Sequence, residues 1–271
     1  MEDKHRAGAV LGVIGALYGI FGSFVIFINH WQEMYWAKAA QLRADESVIV
    51  KWVIPGLHDL SVVGGVILLV ASYLFYKKHK WAWGVAMAGI LLMVQGTGFP
   101  IVAAASAGIF PKYVFLFVPN MILFFLFITY VRKVDKKLII LLTIVGMAYV
   151  LCLFNGIASA SRTAMHGGVE GTAAIFVAVQ RINWIGVVGW YIFLLGTLLK
   201  KIWVHPVGLG AAVLGVLGGV QLGIDSMIMN NSSFSMFLMA PIFCAGLLIY
   251  LLLPSGQKLI NSWAGTGKAR A

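Results

Sequence analysis

The sequence predicts an all-α integral membrane protein of eight transmembrane helices. It reads as two four-helix bundles in a parallel repeat, with both termini cytoplasmic. Three observations carry this: the composition, the spacing of apolar stretches, and the distribution of positive charge. Of the 271 residues, 61% are hydrophobic and 11% charged, against roughly 25% charged in ordinary soluble domains. Such a chain cannot build a water-facing shell. The same numbers exclude disorder, and two cysteines exclude a disulfide scaffold.

A hydrocarbon core about 30 Å thick takes a helix of roughly 20 apolar residues. Span 1 covers 7–29; it follows Met1–Arg6 without an Ala-x-Ala cleavage site and is expected to be retained. In the connection 30–51, Trp31, Met34, Tyr35, Lys38 and Leu42 recur at helical intervals, so a short helix on the membrane surface is expected. Span 2 covers 54–76, with Pro55 in its first turn, where a missing N–H costs nothing. Spans 3 (82–104), 4 (113–131) and 8 (235–253) carry Pro100, Pro119 and Pro241 in their outer halves. Each proline deprives a carbonyl one turn earlier of its donor. Span 5 covers 138–160, and the loop after it, with Arg162, His166 and Glu170, is expected to be solvated. Spans 6 and 7 cover 182–199 and 203–225. Span 7 places Ala211, Gly215, Gly219 and Gly223 four apart, and span 1 carries Gly8, Gly12, Gly15 and Gly19. Small faces of this kind serve close helix crossings, within the chain or toward other membrane subunits. No stretch alternates as a barrel strand would.

Alternate connections hold fourteen and six of the twenty Lys and Arg residues. Short loops rich in Lys and Arg stay cytoplasmic, so the termini belong inside and the span count is even. The inner set faces only Glu2, Asp3 and Asp135, which accounts for the whole net charge of +11. A nucleic-acid partner is therefore unnecessary; the partner the charge implies is the lipid bilayer of a prokaryotic cell membrane.

The halves match weakly but in order. Asn29 and Asn155 lie 126 residues apart, as do Val94-Gln95 and Val220-Gln221. Phe115-Leu116 with Pro119 matches Phe237-Leu238 with Pro241 at 122. The expected units are 1–132 and 133–271, each of four spans and therefore facing the same way.

Polar residues within the spans gather in the outer halves. His58, Asp59, Gln95, Asn120, Asn155, Gln221 and Asp225 are the candidate lining of an outward-facing polar pocket, since buried polar groups face a bundle interior or a wet cavity. His58 is the candidate ligand for a single haem b or proton donor to a quinone. His30 and His166 fall in connections and His205 near the inner surface, so two haems are not expected. Gln221 and Asp225 share a helix face. No local metal-ligand spacing, nucleophile elbow or phosphate loop occurs.

The layout of two four-helix units with outer polar groups resembles quinol-binding membrane subunits of molybdenum oxidoreductases, and haem A synthase. It departs from the latter's four symmetric histidines: the even spans offer His58, Asn120, Asn183 and Pro241 instead. The resemblance implies a quinone- or haem-binding subunit of a redox complex. A transporter or channel, and a structural subunit without catalysis, are the alternative expectations. Against transport, the inner halves hold no polar path.

Overall fold

The computed structural model describes residues 4–41, 47–165 and 172–264. His166 and Glu170 lie outside the described residues, as do Glu2, Asp3, Leu42, Arg43, Asp45, Glu46, Lys268 and Arg270. Among the described residues the chain is helical and has no strand. We number the helices α1 His5–Ala39, α2 Ser47–Tyr76, α3 Ala82–Ser106 and α4 Val114–Val131. They continue as α5 Lys136–Met165, α6 Thr172–Leu198 and α7 Val204–Asn230. The last are α8 Met236–Leu252 and α9 Pro254–Ala264, bent by 75° from one another. Seven of these are long and apolar enough to cross a membrane, or eight if the bent pair is one span. This is the makeup of a multi-pass helical membrane protein.

Residues 30–39, expected as a separate surface helix, instead continue α1 without a break. The physical reason lies in the buried face: Ser23, His30, Met34 and Lys38 are all buried on α1 at intervals that keep one side of a helix inward. The Trp31 indole also donates to the Val50 carbonyl of α2 at 3.1 Å, pinning the extension to its neighbour. α5 likewise runs past its expected end, to Met165, and so carries Arg162 on a helix rather than in a loop.

The chain forms two compact units, Met1–Val134 and Asp135–Ala271. In the first, α2 packs against α1 and α3, and α3 against α4. The α2–α3 seam is backbone on backbone: a Cβ on Gly64 would lie 2.6 Å from the Gly89 carbonyl, and one on Gly89 equally close to that of Gly64. Further along, a Cβ on Gly96 would run into the Leu57 carbonyl and lie 2.8 Å from the Ser61 nitrogen. The glycines of α1 lie against side chains, among them Phe75, Ser72 and Met93.

In the second unit α7 is central and touches α5, α6 and α8. Its glycine ladder receives α8: Gly215 faces Cys244, Gly219 faces Pro241, and Gly223 faces Leu238. Both glycine faces are thus covered by the chain's own helices. Such close approach replaces the hydrophobic effect, which does not draw helices together in lipid.

Candidate functional site

Two carbonyls, one on the fourth helix of each unit, show how the prolines shape the polar groups. Pro119 has no N–H for the Phe115 carbonyl, four residues earlier, and the Tyr18 hydroxyl of α1 donates to that oxygen instead. Pro241 likewise has none for the Phe237 carbonyl, which accepts from Asn155 Nδ2 of α5 at 3.0 Å. In each unit a donor on the first helix serves the carbonyl that the proline leaves open. Tyr18 sits on a π-helical turn, Tyr18–Gly22.

The first unit buries most of its polar chemistry toward the predicted outer end. His58, one turn above Ser61 on α2, is buried in an aromatic setting. Phe27 stacks on its ring at 4.5 Å, Phe24 meets it edge-on at 4.9 Å, and Trp31 stacks on Phe27 in turn. Its Nδ1 is buried without a hydrogen-bond partner among the described residues. Asp59 points out of the unit, as the turn of about 100° between adjacent helical residues requires. Below His58, Ser61 Oγ and Ser23 Oγ lie 2.8 Å apart across α1 and α2. Asn120 Nδ2 sits 3.4 Å from both the Met93 carbonyl and Thr97 Oγ1, and Gln95 is buried nearby on α3.

A second imidazole was not expected here. His30, placed in a connection by the sequence reading, is fully buried on α1. Its Nδ1 lies 2.7 Å from Glu33 Oε2, one turn on, and Lys112 Nζ reaches the same oxygen at 2.8 Å. Glu33 is 45% exposed, so the pair links a buried ring to the surface. His30 Nε2 has no hydrogen-bond partner among the described residues, and neither does the hydroxyl of Tyr113. The two rings lie 6.3 Å apart, centre to centre, and both residues are fully buried. The His30-x-x-Glu33 spacing was the available signal, since residues three apart meet on a helix.

The remaining candidates belong to the second unit, and each has a local explanation. Asn155 is engaged with Phe237. Asp225 on α7 pairs with Arg162 on α5, Oδ2 to Nε 2.7 Å, with the side chains 20% and 6% exposed. Arg162 is therefore not the solvated loop residue expected from sequence, because α5 carries it inward against α7. Gln221 points out of the unit, although Asp225 one turn on is half-buried. Asn183 donates to the Val179 and Gly218 carbonyls at 2.9 and 2.7 Å. His205 contacts the Leu251 carbonyl at 2.9 Å.

The seven candidates therefore divide. His58, Gln95 and Asn120 share the buried interior of the first unit, Asn155 and Asp225 belong to the second, and Asp59 and Gln221 face outward. Among the described residues no group of three or more His, Cys, Asp or Glu is placed to hold a metal ion. No family model matches the chain, and neither a curated protein nor a solved structure matches it. Function has to be read from the chemistry of the side chains themselves.

Proposed function

We propose that the chain is a quinone-binding membrane subunit of a redox complex, with its ligand held in the predicted outer half of the first unit. The observation that carries this reading is the His30–Glu33 pair beside Tyr113. One buried ring nitrogen and one buried hydroxyl stand open, while the other ring nitrogen is tied to a carboxylate that reaches the surface. Quinol oxidation needs this combination: a base for the hydroxyl proton, a donor for the carbonyl that forms, and a proton route to water. For each of the two hydroxyl protons in turn, His30 Nε2 takes the proton and Nδ1–H passes one to Glu33, which releases it to water, while Tyr113 donates to a quinone oxygen. The two electrons leave for a haem or iron–sulfur centre on a partner subunit. His58, stacked on Phe27, and the Asn120–Thr97 pair supply the surrounding apolar and polar walls.

In this reading both termini face the cytoplasm of a prokaryotic cell membrane, as the charge asymmetry favours. The units 1–132 and 133–271 form a parallel repeat. That assignment draws support from the proline-opened Phe carbonyl served from the first helix in both units.

The test is a visible spectrum and lipid-extract mass spectrometry of the purified protein, followed by titration with short-tailed ubiquinone and menaquinone. Co-purified quinone, with affinity reduced about tenfold in Tyr113→Phe by loss of one hydrogen bond, is the expected result. A haem band without quinone moves the site to haem ligation and overturns the quinone reading. So does the absence of binding by either probe.

A further inference from the structure

The chain has two cysteines, 92 residues apart, and the fold sets them sulfur to sulfur. Cys152 on α5 and Cys244 on α8 are both fully buried, with Sγ atoms 3.8 Å apart. A third helix makes the room for them. Gly215 of α7 lies under the pair, where any Cβ would collide with Cys244 Sγ and come within 3.1 Å of Cys152 Sγ. Trp190 of α6, also fully buried, is the aromatic neighbour of the pair. Four helices of the second unit thus converge on one dithiol. A core thiol needs only apolar surroundings; it needs neither the chain's other thiol nor a glycine cut out to admit both.

From this geometry we infer that Cys152 and Cys244 are a redox-active pair that closes to a disulfide linking α5 to α8. The sulfurs, now in van der Waals contact, must close to about 2.05 Å. In the reaction each thiol gives up its proton, the S–S bond forms, and two electrons pass to a quinone. The quinone takes up both protons and becomes the quinol. A lipid-dissolved oxidant is the class that suits the setting. The seam between α5 and α8 carries a groove of about 510 Å³, lined in part by Ile140, Ile144, Ile242, Phe243 and Gly246. Phe243, in that lining, is the residue before Cys244. The disulfide closes a long loop of the second unit, which restricts the unfolded chain and makes the oxidised unit harder to unfold. The inference concerns the second unit alone and does not rest on a ligand in the first.

The experiment treats the full-length protein in lipid nanodiscs with tetramethylbenzoquinone, or with the thiol oxidant diamide. Each sample is then denatured in N-ethylmaleimide and its intact mass measured. The expected result is a mass lower by two hydrogen atoms, no alkylation, and a later unfolding midpoint in SDS. Cys152→Ser should leave Cys244 open to alkylation after the same treatment. Alkylation of both cysteines after each of the two oxidants overturns the pair. A disulfide with diamide but none with the quinone supports the pair and overturns the oxidant class.

Discussion

Asn155 stood among the candidate ligand residues, and its hydrogen bond gives it a different task that can be measured. Asn155→Leu removes the donor to the Phe237 carbonyl, now 3.0 Å away. Pro241 cannot replace that donor, because it has no N–H. Asn155 is 2% exposed, so water cannot readily enter in its place. A buried acceptor left open costs about 1–3 kcal/mol, whereas interhelical hydrogen bonds in membranes average about 0.6 kcal/mol. Because the proline blocks local repair, the cost of the open acceptor applies rather than the membrane average. The expected loss is about 2 kcal/mol, roughly 30-fold in the unfolding equilibrium.

The discriminating partner is Pro241→Ala, which returns an N–H to α8 four residues after Phe237. In that background Asn155→Leu should cost only about half as much, a coupling that a double-mutant cycle isolates. The assay is equilibrium unfolding in mixed micelles with SDS, followed by circular dichroism. Equal costs in both backgrounds would refute the reasoning, since the carbonyl left open by the proline would then not be what Asn155 serves.

Two further predictions concern the same scaffold. Asp225→Asn leaves Arg162 facing a neutral partner, and breaking a buried pair costs about 3–5 kcal/mol. The 20% exposure of Asp225 points to the lower end, and Arg162→Met with Asp225→Leu should recover most of the loss. If the double variant is no more stable than Asp225→Asn in SDS unfolding, the pair is not what holds α5 to α7. Gly96→Ala should destabilise by about 1–3 kcal/mol, since it drives a methyl into the Leu57 carbonyl. Gly19→Ala meets the flexible end of Met93 and should cost clearly less; equal thermal shifts would contradict the backbone contact at the α2–α3 seam.

Much of the architecture was legible because lipid imposes simple rules. A span must be long and apolar, so the helices could be placed to within a few residues in their cores. Their ends were harder. The first span was closed at Asn29 because polar residues begin there, yet His30, Met34 and Lys38 continue the same buried face. Ending the span early turned His30 into a loop residue and hid its pairing with Glu33. The same rule put Arg162 in solvent, although α5 extends to Met165 and delivers it to Asp225.

The candidate site was partly visible for a related reason. Depth can be read from position within a span, so His58, Gln95 and Asn120 could be placed toward the same end of the first unit's helices. Direction could not, because adjacent helical residues diverge by about 100° and hydropathy in a Val- and Leu-rich helix marks no face. His58 therefore proved buried while its neighbour Asp59 points away. Gln221 faces out one turn from a paired Asp225.

Composition and the placement of charge determined by themselves that this chain is a multi-pass helical protein with its polar residues gathered in one half of the spans. Only the tertiary structure decided which of those residues have partners. It assigned Asn155 to Phe237 and Asp225 to Arg162, left His30 Nε2 and the Tyr113 hydroxyl without a partner among the described residues, and set Cys152 against Cys244. The reason is physical. Lipid selects residues by polarity and length, which are properties of the linear chain. Hydrogen bonds, ion pairs and sulfur contacts between residues far apart in the chain, 82 positions for Asn155 and Phe237 and 92 for the cysteines, are selected by how helices rotate and cross, and the glycines and prolines that govern those crossings act only once their neighbours are in place.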